Sequence, residues 1–203
     1  MSGWTRHEGA AVALARENID TDQLIPARFM STPRTEGYGR FLLHDLRRDG
    51  AGALDPDFAL NRAEAAGATI LIARRNFGAG SSREAAVYAL VDAGFRAVIA
   101  PSFGDIFASN AVNNGLAPLR VSPEEAEALI AACPITLSVD LEAGTIAGAG
   151  REQSFDLDPV WRLKLTRGWD DIDLTASHGA AIAAFAGQRR ATAPWAWPQK
   201  PRS

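Results

Sequence analysis

Residues 76–84 read Asn-Phe-Gly-Ala-Gly-Ser-Ser-Arg-Glu, and they stand between two segments of different character. Before them, residues 68–73 form a short apolar run rich in β-branched side chains, which is typical of a strand buried on both faces. After them, residues 85–94 have helical composition and end in a glycine, and residues 97–100 repeat the buried-strand pattern. Strand, glycine turn, helix and strand predict a parallel, right-handed βαβ unit at the centre of an α/β fold.

The turn itself is suited to an anion. Gly78 and Gly80 let the backbone approach a ligand closely and adopt positive φ angles. The N–H groups and the dipole of the following helix favour negative charge at its start, and Arg83 adds a planar donor fork that fits a carboxylate. Ser81 and Glu84 also have the spacing of a capping box, which would need no function. A phosphate loop is disfavoured because neither G-x-G-x-x-G nor G-x-x-x-x-G-K-[ST] is present.

The composition is that of one full-sized globular core. The chain has 203 residues, of which 47% are hydrophobic, and a formal net charge of −3 with both signs mixed. This balance argues against nucleic acid or a membrane surface as a partner. No apolar run approaches the length of about 18 residues that a membrane span needs, and residues 1–7 lack the apolar core of a signal peptide. We therefore expect a cytoplasmic protein.

Cys133 is the only cysteine of the sequence. One thiol forms neither an intrachain disulfide nor a thiolate metal cage. Cys133 follows an alanine-rich helix and precedes Pro134, so we expect it to act as a small buried hydrophobe rather than as a nucleophile. His44 has no partner at metal-ligand spacing, and we expect no metal site in this chain.

The other elements follow from periodicity, caps and turn residues. Strands are expected at 9–14 and 116–121, and a hairpin at 136–141 and 144–147. Helices are expected at 41–46 with His44 on the surface, and at 101–115, 122–132, 158–165 and 174–185. Residues 30–40 are predicted to be a mobile loop, and Asn110, Asn113 and Asn114 to be helix caps. We predict a single domain over residues 1–190 and a Pro- and Trp-rich tail over residues 191–203.

The helix after the turn is apolar nearly all round, which predicts burial on more than one side. The sheet covers one of its faces. Either the rest of the domain or a second protein is expected to cover another.

Three segments together resemble a known family. The nine residues from 76 to 84 resemble the Asn-aromatic-Gly-x-Gly-Ser-Ser-Arg-Glu signature of the aconitase superfamily's swivel domain. Residues 18–29, Asn-Ile-Asp-Thr-Asp-Gln-Leu-Ile-Pro-Ala-Arg-Phe, resemble the start of isopropylmalate dehydratase small subunits. Residues 101–110, Pro-Ser-Phe-Gly-Asp-Ile-Phe-Ala-Ser-Asn, fit the same family. The resemblance spans residues 9–186 and implies the swivelling β/β/α domain.

The resemblance also implies an activity: a hydro-lyase that removes water from 2-isopropylmalate and returns it at the neighbouring carbon. It assigns the proton-abstracting base to Ser81, as an alkoxide. Because a serine hydroxyl is a very weak acid, backbone amides and Arg83 would have to stabilise that anion. Ser82 and Arg83 would hold a substrate carboxylate, and Gly78 and Gly80 would permit the crowding.

Two further segments are implicated by the same resemblance. Thr21 and Asp22 are expected to support the substrate site. A second carboxylate of the dicarboxylate substrate would be held by Arg28 or Arg34, and the sequence leaves that choice open.

Loss of hydroxide calls for a Lewis acid, which in this superfamily is a 4Fe-4S cluster held by three cysteines. One cysteine cannot hold such a cluster. The resemblance therefore implies a large subunit that carries the cluster, and a heterodimer, or a multiple of one, whose interface surrounds residues 78–83 and the loop of Arg34. This chain would bind no cofactor itself and would be inactive alone.

The sequence departs from the family pattern at four positions. Ala79, Ala85 and Val87 stand where Cys, His and Pro are common, and Glu36 is an extra residue in the loop of Arg34. The reaction type is unaffected, because the serines and Arg83 are present. Two alternatives stay open: a sister hydro-lyase acting on another alkyl-malate or citramalate, and a binding module that only senses a dicarboxylate.

Overall fold

The computed structural model describes residues 2–148 and 150–197, which fall into two compact units that divide between Trp169 and Asp170. The first unit holds the sheet and the predicted site, and the second is helical. The predicted division into residues 1–190 and 191–203 stays a prediction, and residues 198–203 of that tail lie outside the described residues.

The first unit is built on one mixed sheet. Its strands are β1 (Arg6–Leu14), β2 (Ile70–Ala73), β3 (Ala97–Ala100), β4 (Ala117–Arg120), β5 (Ile135–Asp140), β6 (Thr145–Gly148) and β7 (Arg151–Ser154). In the described residues these strands lie in the order β4-β3-β2-β1-β5-β6-β7. Neighbours from β4 to β1 pair in parallel, while β5, β6 and β7 add an antiparallel meander at the other edge of β1. The predicted hairpin is the β5–β6 pair and is confirmed.

Helices connect and cover the strands. The first unit contains α1 (Thr21–Leu24), α2 (Glu84–Asp92), α3 (Asp105–Asn113), α4 (Pro123–Ala132) and α5 (Pro159–Arg167), and the second contains α6 (Asp171–Ser177) and α7 (Gly179–Thr192). Short 3-10 turns lie at Ala27–Phe29, Arg34–Glu36, Gly39–Phe41, Ala59–Asn61, Ala63–Ala65 and Pro194–Ala196. Of the described helices, none is long and apolar enough to cross a membrane.

The predicted βαβ unit is β2, α2 and β3, and it is confirmed. β2 and β3 pair in parallel, with Leu71 opposite Val98. Alternate residues of β2 enter separate apolar clusters: Leu71 packs in one, whereas Ile70 and Ile72 pack in the other. Since all four residues of β2 are fully buried, the apolar run without alternation reflects a strand covered on both faces.

Helix α2 is covered by this chain itself. Ala86, Val87 and Leu90 are fully buried. Besides the sheet cluster, α2 packs against α3 and against the turn Gly39–Phe41. The predicted burial on more than one side is thus satisfied within the domain, and a second protein is not needed to explain it.

Residues 41–46 differ from the helix expected there. Leu43 has a φ of 52°, which an interior helical residue does not adopt, and its N–H donates to the Leu24 carbonyl at 2.9 Å. This tertiary bond returns the chain to α1, and Leu42 and Leu43 become fully buried. His44 therefore lies in a turn, where its ring is 4.6 Å from that of Phe29.

Helix α3 starts at Asp105 rather than at Pro101, because the residues before it are paired with the glycine turn. Ser102 Oγ accepts the Asn76 N–H at 2.8 Å, so Ser102 caps no helix, and Gly104 stands at the cap position. Of the three predicted caps, Asn114 is the C-cap residue of α3, whereas Asn110 and Asn113 lie inside the helix. The Asn113 side chain accepts from the buried Lys164 Nζ. The last predicted helix, 174–185, is divided between α6 and α7 at His178.

Candidate active site

The turn between β2 and α2 has a backbone that few residues adopt. Asn76, Gly78 and Gly80 have φ angles of 61°, 73° and 100°. A Cβ atom on Gly78 would lie 2.2 Å from Cγ of the Phe107 ring, so that position admits only glycine. Phe77, between them, is fully buried and anchors the turn in the core. The positive φ angles explain why residues 78 and 80 are glycines. At Gly78 the group that approaches the backbone closely is the Phe107 ring of α3.

A second loop is joined to this turn by backbone hydrogen bonds. The N–H of Gly78 donates to the Ile19 carbonyl at 2.7 Å, and the N–H of Thr21 donates to the Ala79 carbonyl at 2.9 Å. Thr21 is buried, and its hydroxyl donates to the Ser81 carbonyl at 3.2 Å. Residues 18–29 and 76–84, the two family segments that are far apart in sequence, therefore form one structure around Ser81.

Ser81 does not cap α2. The helix begins at Glu84, its N-cap residue is Arg83, and that cap makes no side-chain hydrogen bond. The capping-box interpretation of Ser81 and Glu84 is therefore wrong; the Glu84 carboxylate instead accepts from the Asn114 side chain at 2.9 Å. Ser81 and Ser82 are both exposed beside a helix start that lacks a side-chain cap. This arrangement favours an anion at the serine hydroxyls.

Arg83 follows the two serines in the sequence, and its guanidinium is anchored by hydrogen bonds. Nη1 donates to the carboxylate of Asp22 and to the Ile25 carbonyl, the latter at 3.1 Å. The Arg83 side chain is only 13% exposed. The hydrogen bonds described for Arg83 use Nη1, so its Nε and Nη2 face is the part of the fork that a ligand carboxylate would meet.

Arg28 and Arg34 form ion pairs with other groups. Arg28 donates to both carboxylate oxygens of Asp45, and this contact raises the pKa of Arg28 and lowers that of Asp45 to about 2. Arg34 binds both oxygens of Asp92, at 2.7 and 2.9 Å. The structure thus brings together seven of the nine candidate residues, and it holds these two arginines on separate acids.

Some supporting residues escaped the sequence reasoning. Asn18 and Asn76, both with positive φ, are joined by a side-chain bond of 2.8 Å that clamps the two loops. Asp20 belongs to the loop that the resemblance expects to support the site, but its capping role was missed: it caps α1 in a capping box with Gln23, a spacing that the sequence did display. Asp92 carries no local signal of its role, because its partners are 54 and 58 residues away.

In the part of the chain that the structure describes, no cluster of three or more His, Cys, Asp or Glu side chains is placed to hold a metal ion. Cys133 is half-buried, and burial raises the pKa of its thiol. A raised pKa disfavours the thiolate that would act as nucleophile or ligand.

Comparison with known proteins shows the family of the chain. Residues 1–124 match the family model of the aconitase C-terminal domain. A 3-isopropylmalate dehydratase small subunit from Shouchella clausii is 48% identical over 88% of this chain and 92% of that protein. Proteins of the same name from Rhodopirellula baltica and Caulobacter vibrioides are 47% and 45% identical, over 91% and 96% of this chain and 97% and 98% of theirs. The chain belongs to the 3-isopropylmalate dehydratase small-subunit family.

A solved member of the family has the same fold. The crystal structure of 3-isopropylmalate dehydratase from Methanocaldococcus jannaschii superposes with a TM-score of 0.66 at 25% identity, covering 88% of this chain and 98% of that one. The mixed α/β swivel-domain fold predicted for the family is confirmed.

Proposed function

We propose that this chain is the small subunit of a 3-isopropylmalate dehydratase, a hydro-lyase of leucine biosynthesis, and that it contributes the base and a carboxylate site. The observation that carries the proposal is the placement of Ser81. Ser81 is exposed two residues before the N-cap of a helix that has no side-chain cap, and the N-cap residue itself is Arg83, whose guanidinium is fixed by Asp22. Family membership supports the same reaction.

Ser81 takes a proton from the carbon next to a substrate carboxylate, and hydroxide leaves from the neighbouring carbon. A double bond forms between these two carbons. Water then adds to the same double bond in the opposite sense, with the hydroxyl on the carbon that lost the proton and the proton on the carbon that lost hydroxide. For this, Ser81 must be deprotonated, and two features stabilise its anion: the N–H groups at the start of α2 and the positive charge of Arg83. Proton return to the carbon on rehydration restores the alkoxide.

Substrate orientation falls to the residues around Ser81. Ser82 and the open edge of Arg83 bind one carboxylate. Thr21 and Asp22 act through their neighbours, since Thr21 holds the Ser81 carbonyl and Asp22 holds Arg83. Arg28 is the candidate for the second carboxylate, because its pair with Asp45 is exposed at both side chains and can exchange for a ligand.

The departing hydroxide needs a Lewis acid, and an iron–sulfur cluster supplies one when bound. This chain does not fit such a group, since clusters need several thiolates and Cys133 stands alone. We assign the cluster to a large subunit that meets the exposed turn of Ser81 and Ser82, in a heterodimer or a multiple of one. A cytoplasmic location belongs to the same proposal.

Reconstitution tests the proposal. The purified chain, its cognate large subunit with an intact cluster, and their mixture are assayed with 2-isopropylmalate and, separately, with citramalate. We expect turnover of 2-isopropylmalate by the mixture alone. Preference for citramalate would establish the sister hydro-lyase instead. Binding of substrate analogues without turnover of either compound would establish a sensor.

A further inference from the structure

The segment that carries Arg28 and Arg34 leaves and returns to the core at one point. The Leu43 N–H donates to the Leu24 carbonyl at 2.9 Å and closes the neck of this excursion. We call residues 25–42 the strap. Its first residue lies at the candidate active site, because the Ile25 carbonyl accepts from Nη1 of Arg83 at 3.1 Å.

The far side of the strap is fastened to the opposite end of α2. Asp92 is the last residue of that nine-residue helix, about 12 Å from its first residue at a rise of about 1.5 Å per residue. Its carboxylate accepts hydrogen bonds from both Nη groups of Arg34, at 2.7 and 2.9 Å, and from the N–H of Tyr38, at 2.6 Å. The strap therefore spans the helix whose N-terminal end bears the serines.

The surroundings of Asp92 are shaped for this contact. A Cβ atom on Gly39 would lie 2.6 Å from the carbonyl carbon of Asp92, so the strap approaches the helix end more closely than another residue would allow. The Arg34 guanidinium lies 4.3 Å from the ring centroid of Tyr88. The Asp92 side chain is 18% exposed. The Arg34 side chain is 46% exposed, so the shielding is on the Asp92 side. A bidentate pair with one shielded partner holds its geometry better than a single-bonded pair exposed at both side chains.

Another ion pair of the strap stays within the strap and rests on a single hydrogen bond, although its arginine also lies over a ring, that of Phe41. Arg40 and Glu36 are four residues apart, and their side chains are 58% and 49% exposed. Such a pair contributes little to order, so it provides a matched comparison within the same segment.

The strap is otherwise a folded piece with an exposed tip. Tyr38 is buried and its hydroxyl donates to the Thr32 carbonyl at 2.9 Å, while the rings of Phe29 and Phe41 stack at 4.3 Å. Met30 is 44% exposed at the tip. Its own contacts give the strap its shape, and the contacts at Asp92 set its placement along α2.

We propose that Asp92 is a positioning residue: it holds the strap on α2 and so sets the position of Arg28 and the strap tip relative to the Ser81 turn. The inference rests on the proposed function, in which Arg28 receives the second carboxylate of the substrate. Arg34 then acts through Asp92 and does not bind substrate itself.

Four variants test this role in the reconstituted enzyme: Asp92→Asn, Arg34→Gln, the double variant, and Glu36→Gln as the control. Asparagine keeps the size of aspartate and still accepts the Tyr38 N–H, but it carries no charge for Arg34. We expect each single variant to raise KM about tenfold and to leave kcat within about twofold, because Asp92 does not touch the serines. The double variant should match the single ones, since both remove one interaction. The control should behave as wild type.

Hydrogen exchange of the strap in the chain without substrate supplies an independent reading, and exchange in Asp92→Asn should be about tenfold faster. Unchanged exchange, or faster exchange with an unchanged KM, overturns the proposal. So does a double variant whose KM rises by the product of the single effects, which would mean that Arg34 binds substrate directly. Should Asp92→Asn fail to fold, Arg34→Lys replaces it, because lysine keeps the charge and loses the fork. An inert wild-type mixture would contradict the proposed function, and exchange alone would then decide whether Asp92 holds the strap.

Discussion

Arg83 Nη1 donates to the carboxylate of Asp22, a residue 61 positions earlier in the chain. The pair joins the two loops that carry the family motifs, and it fixes the direction of the Arg83 guanidinium. Because the Arg83 side chain is only 13% exposed whereas that of Asp22 is 58% exposed, the arginine is the buried partner. Its orientation is therefore set before a substrate arrives.

We predict that Arg83→Lys raises the substrate KM about tenfold or more, equivalent to about 1.4 kcal/mol or more of binding free energy. Lysine keeps the charge but cannot bind Asp22 and a ligand carboxylate through one planar group. Arg75→Lys is the control, because Arg75 forms an exposed pair with Glu17. A KM within about twofold of wild type for Arg83→Lys would make Arg83 a structural charge.

Ser81→Ala is expected to abolish turnover and to leave the thermal midpoint nearly unchanged, because Ser81 caps no helix in this structure. Ser122→Ala provides the opposite pattern. Ser122 caps α4 in a capping box with Glu125, so its loss should lower the free energy of unfolding by about 1 kcal/mol without affecting turnover. Turnover and melting are measured on both variants. Retained turnover in Ser81→Ala would remove the base assignment.

Gly78→Ala should destabilise the domain by more than about 3 kcal/mol, since the new methyl group adds a clash with Phe107 to the strain of a positive φ. Gly67 has a similar φ of 74° and open space around it, so Gly67→Ala should cost only about 1 kcal/mol. Urea unfolding of the two variants measures the difference. Equal losses would show that α3 does not press on the turn.

Stability should fall as the pH drops below about 6.5. Burial, with a smaller contribution from Arg96, lowers the pKa of His7 from its ordinary value, and the ring bonds to Thr69 Oγ1 at 2.7 Å. Between the lowered pKa of His7 in the folded chain and its ordinary value of 6.5 in the unfolded chain, the unfolded chain binds more protons. The contribution of His7 to stability is therefore fully present above pH 6.5 and is lost as the pH falls. In His7→Gln the urea midpoint should depend less steeply on pH between 7.5 and 5.5, because only the other titrating groups then contribute to the slope. An unaltered slope would assign the effect elsewhere.

The central fold was predictable because local signals agree with it. The apolar run at β2, the glycine turn and the helix α2 each point to one βαβ unit, and the family motif adds the rest of the swivel domain. Helix α4 was predictable for the same reason, since Ser122 and Pro123 are cap residues with a physical role at that end.

What the sequence did not reveal depends on contacts between distant segments. Leu43 and Ser102 both lie in segments with helical spacing, yet neither is helical. The Leu43 N–H donates to the Leu24 carbonyl, and the Ser102 hydroxyl accepts the Asn76 N–H. The capping-box interpretation of Ser81 failed because the chain enters α2 two residues later. The ion pairs of Arg28 with Asp45 and of Arg34 with Asp92 were not predictable, because no local pattern links these residues.

The central claim is that the Ser81 turn and the strap form the face that a large subunit completes. Hydrogen exchange of this chain, measured with and without the cluster-bearing large subunit, tests it most directly. The account predicts protection in residues 18–40 and 76–84, with the antiparallel pair β6–β7 unchanged as an internal reference. Exchange that is the same in both states throughout these two segments would contradict it.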